Sequence, residues 1–488
     1  MLGLIGWCVG ASPNDTALPF RQAEAELRRL TVMALERNPQ VLAARHEVER
    51  YAAAQDELKG FFDPQLKASA LGQRDAWYGQ DGFLNTAGTE MALMPGAYLD
   101  VEAGQNYLKN LSDDHHDRMA QTVLTTRLRV PLNRDRGFAI WKLDNRRAGA
   151  ESLAAQARLL DACQTVRLEV EQRYVVLCEA QAQFAVATAA SRRANKLLED
   201  TREMVRLKTV PEYQVYPAQY EVAVRREDEM AALQAVGTAQ LRLAETLAAP
   251  VAAGAAAQEA VAGTPLVVVW AEAMPLPFVP PLAKALEARG KWLDFQEQAT
   301  AARIEIRRQQ EGLKSNVALT VEGGWQGEEP DGMVGAGAYS FDHNFGGLVG
   351  VTWSRPLGYQ AERSRVRQVA ARLAKLEEEG RGVELTVKTE METARRDYEQ
   401  ARERLRVLSE GVTAARRTLE AEEQRFRLGE GRSRNVLDAQ KDLNDVISRQ
   451  TGVAGQLLLA AARFHYATGY RNAAADGALA VTVAPTEP

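Results

Sequence analysis

Apolar residues recur through the second half of this chain at alternating steps of four and three. Val387, Met391, Ala394, Tyr398, Ala401, Leu405, Leu408, Val412, Ala415 and Leu419 keep that step, the a/d spacing of a coiled-coil seam. Moving each position back by 221, so that Val387 falls on Val166, gives Val166, Val170, Arg173, Leu177, Ala180, Phe184, Ala187, Ser191, Ala194 and Leu198. Only Arg173 and Ser191 interrupt this second seam. The same shift carries Val205-Arg206-Leu207, Val215, Ala218 and Gln219 onto Phe426-Arg427-Leu428, Val436, Ala439 and Gln440 without a gap. Two seams in one phase predict a duplicated structure. Each half should hold a helix of about 70 residues, roughly 105 Å long, a short turn, and a returning helix of about 35 residues. The second return helix has its own seam: Val436, Ala439, Leu443, Val446, Val453, Leu457, Ala460, Phe464 and Ala467. Its first-half counterpart is weaker, with Arg225 and Glu229 at seam positions.

Shorter helices open each half. Leu27, Leu30, Ala34, Val41, Ala44, Val48, Tyr51 and Leu58 keep the three-four step, broken at Asn38-Pro39, which reads as an N-cap followed by proline at the first helical position. Residues 282–311 fill the same slot in the second half. Between short and long helix the period changes to two. Pro64–Gln73 and Val123–Pro131 predict strands in the first half, and Val317–Trp325 and Leu348–Pro356 in the second. In the second of these, Thr125, Arg127 and Arg129 oppose Leu124, Thr126, Leu128 and Val130. One apolar and one polar face is the pattern of membrane-barrel strands. Gly96–Tyr107 is a candidate extra hairpin. The resulting division is 1–20, an export signal or N-terminal segment; 21–249, the first repeat; 250–281, an Ala-, Gly-, Val- and Pro-rich linker; 282–470, the second repeat; and 471–488, a tail of low order.

Composition narrows the function. The 60 Lys and Arg against 65 Asp and Glu leave a net charge of −5, so no basic excess points to nucleic acid. Cys163 and Cys178 sit on one predicted helix at roughly 22 Å, too far apart for a disulfide. No run of apolar residues is long enough for a membrane-spanning helix. The opening Met1–Cys8 reads as the remnant of a secretory signal; Ile5-Gly6-Trp7-Cys8 makes Cys8 a candidate lipid anchor, with an ordinary or truncated signal as the alternative. Walker-type loops, CxxC pairs and HExxH are absent from the sequence, so no enzyme activity and no cofactor is expected. Asp113-Asp114-His115-His116-Asp117 reads as an exposed loop charge run, with divalent-metal binding as the alternative.

The order helix, strand, loop, strand, long helix, short helix, twice over, resembles the TolC-like outer-membrane efflux protein family across about residues 20–470. The motifs that carry the resemblance are Asn38-Pro39 with Val41 and Ala43-Ala44, Phe62–Leu66, Val130-Pro131-Leu132 before Arg136-Gly137, Arg355-Pro356-Leu357, and Arg425–Ala439. What it implies is a mainly α fold with membrane β-strands: duplicated coiled-coil hairpins forming a trimeric α-helical barrel capped by a shared 12-stranded β-barrel. Four strands cannot close a barrel, which needs about eight, so copies must pool them, and three would supply about twelve. The resemblance further implies a passive outer-membrane export duct reaching into the periplasm and set in outer-membrane lipid. Its partners would be a periplasmic adaptor and an inner-membrane pump. A soluble coiled-coil adaptor without a pore is the alternative, disfavoured because the hairpin occurs twice with strands inside each repeat.

By the same resemblance the tips, Leu207–Gln214 and Leu428–Asn435, close the duct. Leu207, Lys208, Val210, Leu428, Gly429, Gly431 and Arg434 would face the adaptor, and Asp438, Asn435 and Gln214 the pore aperture. Asn435 stands where the family pattern has an acid. Asp438 has a plain alternative role as an exposed first-turn carboxylate favoured by the helix dipole. Pro211 and Pro217 depart from the pattern at the first tip.

Overall fold

The computed structural model describes residues 13–75, 80–94, 96–110, 118–208, 210–249, 266–275, 278–330, 345–428, 430 and 432–469. In chain order the elements are α1 (Pro13–Arg37), α2 (Pro39–Glu57), β1 (Gln65–Asp75), β2 (Gln80–Met94), β3 (Ala97–Asn110), β4 (Arg118–Pro131), α3 (Ala139–Arg206), α4 (Val215–Leu247), α5 (Leu266–Ala273), α6 (Leu282–Glu287), α7 (Gly290–Glu311), β5 (Asn316–Pro330), β6 (Phe345–Ser354), α8 (Gln360–Arg427) and α9 (Ser433–Thr468). The long helices α3 and α8 are both 68 residues, and their bounds differ by the 221 positions of the sequence repeat. The described residues form two compact units: one from Met1–His46, Ala157–Leu293 and Arg381–Pro488, the other from Glu47–Gln156 and Asp294–Gly380.

The first unit is helical, and its core is the heptad seams. Val387, Met391, Ala394, Tyr398, Ala401, Leu405, Val412 and Leu419 are buried along α8, as are Val166, Val170, Leu177, Ala194 and Leu198 along α3. Where Arg173 breaks the first seam it lies exposed, and the adjacent Tyr174 is buried instead. Arg225, at a seam position of α4, is held by Glu221 at 2.7 Å and Asp228 at 3.0 Å, so its charge stays compensated as it leaves water.

The helix breaks are stitched to their neighbours. Asn38 Oδ1 accepts a hydrogen bond from Gln40 N at 2.9 Å, and its Nδ2 donates to Thr246 O at 2.9 Å. One side chain thus caps α2 and satisfies a C-terminal carbonyl of α4. At the α6–α7 break, Gln164 of α3 donates to Ala288 O at 2.7 Å and accepts from Gly290 N at 3.3 Å. The buried Arg289 donates to Tyr466 O at 2.7 Å and stacks over that ring at 3.8 Å. Within the segment expected to be a linker, the structure places α5, whose Val267, Val268, Trp270 and Ala271 are buried in the main core. Trp270 meets Tyr174 edge to face at 5.9 Å, and the Tyr398 hydroxyl donates to Pro275 O at 3.0 Å. The apolar run Leu266–Trp270 is what buries, so this stretch is part of the core.

The second unit holds one six-stranded antiparallel sheet in the order β1-β2-β3-β4-β5-β6. This corrects the expected four strands per chain. The region of Gly96–Tyr107 is one arm of a full hairpin, β2 and β3, hydrogen-bonded to β1 on one side and β4 on the other. The registers align one face through all six strands. Leu66, Ala68, Phe83, Ala87, Met91, Leu99, Val101, Leu124, Leu128, Val321, Trp325, Val349, Val351 and Trp353 share it. Lys67, Ser69, Thr86, Glu90, Asp100, Glu102, Thr125, Arg127, Arg129, Glu322, Thr352 and Ser354 share the other. Leu66, Phe83, Val349, Val351 and Trp353 are exposed on the apolar side. Beneath the sheet, Arg147 of α3 pairs with Glu305 of α7 at 2.8 Å, and Trp141 donates to Leu58 O at 3.2 Å.

Two backbone positions give tests. A Cβ on Gly290 would stand 2.4 Å from Asp161 N and 2.6 Å from Ala157 O, backbone atoms that cannot give way. Gly290→Ala should cost about 1–3 kcal/mol, read as a lower denaturant midpoint; an unchanged midpoint would mean that α7 is not pinned to α3 there. Lys208 has a φ of 59°, left-handed backbone that costs a side-chain-bearing residue about 1 kcal/mol or more. Its repeat equivalent is Gly429. Lys208→Gly should raise stability by about 0.5–1 kcal/mol, and a loss of stability in the same melt would contradict the strain.

Candidate functional site

The tips are the turns between α3 and α4 and between α8 and α9. At the first, Leu207 N donates to Glu203 O at 2.9 Å and Lys208 N to Val205 O at 3.0 Å, closing the last turn of α3. Pro211 then holds extended backbone, and the 3-10 turn Glu212–Gln214 leads into α4. Proline fixes φ near the value this exit needs and lacks only an N–H that has no helical partner. The departure from the family pattern at Pro211 is thus absorbed by one extra tight turn. Pro217 sits in the first turn of α4, where it is tolerated for the same reason. At the second tip, Glu430 N reaches back to Arg425 O at 3.0 Å, and extended Arg432 precedes α9.

Under both turns lie small apolar clusters. Leu197 of α3 packs with Leu419, Phe426, Val436, Ala439 and Leu443, while Ala194, Leu198, Ala218 and Val222 join α3 to α4. Among the described residues the two tips meet at a polar contact in which Ser433 Oγ donates to Gln214 Oε1 at 3.4 Å. Of the expected aperture residues, Gln214 therefore lies half-buried between the tips. Asn435 and Asp438 are exposed on the first turns of α9. Asp438 faces Arg434 at 4.0 Å, with the two side chains 70% and 86% exposed. An exposed pair of this kind is weak, on the order of 0–1 kcal/mol, so the carboxylate keeps most of its field. Leu207, Lys208 and Leu428 are exposed and Val210 is half-buried. Gly429, Gly431 and the candidate lipid anchor Cys8 lie outside the described residues, as does Asp113–Asp117.

Sequence reasoning missed three features of this unit. Ser433 is the partner of Gln214, and nothing at that separation in sequence announces it. Tyr213, in the 3-10 turn, and Tyr216 and Tyr220, one turn apart on α4, are exposed at the first tip; the i, i+4 spacing of the latter two was a readable signal. Arg193 of α3 is half-buried against Asn444 of α9. Burial holds its guanidinium below the usual arginine range, Arg225 and Arg416 add to that, and Glu423 opposes it. Farther from the tips, Leu168, Leu385, Thr389, Asp397, Arg463 and Tyr466 line a cavity of about 570 Å³ between α3, α8 and α9. Among the described residues no group of His, Cys, Asp and Glu could hold a metal ion, and no helix is long and apolar enough to cross a membrane.

The arrangement has counterparts among known proteins. The sequence profile of the outer membrane efflux protein family matches residues 284–470. No curated protein matches the sequence significantly. Solved structures share the fold across nearly the whole chain. The outer membrane protein VceC of Vibrio cholerae is 16% identical with a TM-score of 0.68, over 92% of this chain and 98% of its own. The outer-membrane channel CmeC of Campylobacter jejuni is 13% identical with a TM-score of 0.68, over 96% and 90%. The outer-membrane channel MtrE of Neisseria gonorrhoeae, solved in its open state, is 16% identical with a TM-score of 0.66, over 91% and 88%. The shared fold is that of solved outer-membrane channels, and none of these matches supports the soluble adaptor alternative. With the family profile on its second repeat and the channel fold over nearly its whole length, the chain is similar to the outer membrane efflux proteins.

Proposed function

We propose that this protein works as a homotrimeric, passive export duct of a tripartite efflux system. Its strands pool into a barrel in outer-membrane lipid, and its helical hairpins form the periplasmic part of the conduit. The observation that carries this reading is the sheet itself: one mainly apolar face, one mainly polar face, and two open edges. Such a sheet is stable in lipid only when its edges are paired. The tips are assigned the contact with a periplasmic adaptor and, through it, an inner-membrane pump. The exposed Leu207, Leu428, Tyr213 and Tyr216 offer the apolar anchors that interfaces favour. No step of the proposed work is chemical: cargo moves by gradients and by the pump's energy.

Asp438 is assigned to the aperture. Three copies would place three carboxylates around it, favouring cations, with Arg434 partly offsetting each through their exposed pair. Planar-bilayer recordings of the purified trimer test this. Wild type should show small conductance with a cation preference, Asp438→Ala a lower preference, and Arg434→Ala a higher one. If the reversal potential in a salt gradient is the same in all three, Asp438 is not at the aperture.

A further inference from the structure

We propose that the β2–β3 hairpin is built into the barrel wall, so that three copies close a barrel of eighteen strands, each copy joined edge to edge by β1 of one chain and β6 of the next. This rests on the trimeric reading and adds to it the number of strands, the place of the hairpin and the seam between copies.

The first argument is hydrogen bonding. β2 pairs with β1 from Gln65↔Glu90 to Asp75↔Gln80, along the whole of β1. β3 pairs with β4 from Tyr98↔Arg129 to Lys109↔Arg118. A flap hanging from a loop would leave β1 and β4 free to pair with each other; here each gives one whole edge to the hairpin. Second, the charges match. On the polar face the hairpin brings Glu90, Asp100 and Glu102, while its hosts bring the opposite sign. Lys67 of β1 forms an ion pair with Glu90. Arg127 of β4 stands in register opposite Asp100 and donates to Glu322 of β5 at 2.9 Å. Ser69 and Thr86 share a hydrogen bond of 2.8 Å across β1 and β2. Cross-strand pairs of these kinds favour a register, and these fix the hairpin to its hosts.

The third argument is direction. Six strands running alternately up and down leave β1 and β6 antiparallel, so copy-to-copy pairing continues the pattern; an odd number would not. The two edges are 11 and 10 residues long, close to the 9–11 residues that span a bilayer. Both carry apolar residues on the shared face, Leu66 on one and Val349, Val351 and Trp353 on the other, all exposed in the single chain. Barrel diameter grows about linearly with strand number, so eighteen strands give a wall roughly half as wide again as twelve. A wall of that size leaves an aqueous lumen, lined here by the belt of Lys67, Glu90, Asp100, Arg127 and Glu322. The sheet would then pass hydrated solutes freely and leave any limiting constriction to the helical tips.

Cysteine pairs in the purified trimer test the wall. Ser69→Cys with Thr86→Cys, under mild oxidation in native outer membranes, should form an intrachain disulfide in most of the protein. Ser69→Cys with Thr125→Cys should form none. Lys67→Cys combined in turn with Gly350→Cys and Thr352→Cys should give a ladder of covalent dimers and trimers with at least one of the two. If Ser69 links to Thr125 and not to Thr86, β1 pairs with β4, the hairpin lies outside a narrower wall, and the proposal is overturned while the trimer stands. A protein that migrates only as monomer, without any ladder, overturns the trimeric reading and the proposal together.

Discussion

A strand edge in hydrocarbon has nothing to bond with. Each unpaired N–H or C=O there costs several kcal/mol, more than any single side-chain contact in this molecule returns. β1 and β6 both present such an edge, and β6 is exposed on both faces along nearly all its length. The six-stranded sheet is open, with β1 and β6 unpaired to each other, and barrels that span membranes have eight strands or more. On the proposed reading, with the sheet set in lipid, the backbone demands further copies before any side chain is considered. Side chains would then settle which face meets lipid and which meets water, and they favour the register in which the strands lie.

The helical architecture was legible because a coiled-coil seam repeats many times in one phase. Its signal accumulates over long helices, and the duplication reads it out twice, so α3 and α8 follow from the sequence almost to the residue. Asn38-Pro39 was equally readable, since capping is local. What escaped was tertiary. The Arg173 interruption is resolved by its neighbour Tyr174, which turns inward to meet Trp270. α5 has only eight residues, too few for periodicity to separate a buried helix from an apolar linker. Its role became visible once its tryptophan and valines were seen inside the core.

The strands were harder because each is short and half-polar. β4 announced itself through Thr125, Arg127 and Arg129 alternating with apolar neighbours. β2 and β3 did not: Gly82, Gly88 and Gly104 together with Ala87 and Ala103 weaken the β signal, and the alternation emerges only when the registers lay strand upon strand. The candidate site was legible in outline. Gln214, Asn435 and Asp438 fall on the tips, and the Arg434–Asp438 pair follows from a spacing of four on a helix. The Gln214–Ser433 contact joins two repeats, and only the folded chain brings those residues together.

Hydrogen–deuterium exchange of the protein in lipid nanodiscs probes the edge constraint directly. Peptides covering β1 and β6 should exchange as slowly as those covering the central β3 and β4, because every edge amide has found a partner on another copy. If β1 and β6 exchange orders of magnitude faster than β3 and β4 in the bilayer, the edges are open and no shared wall exists.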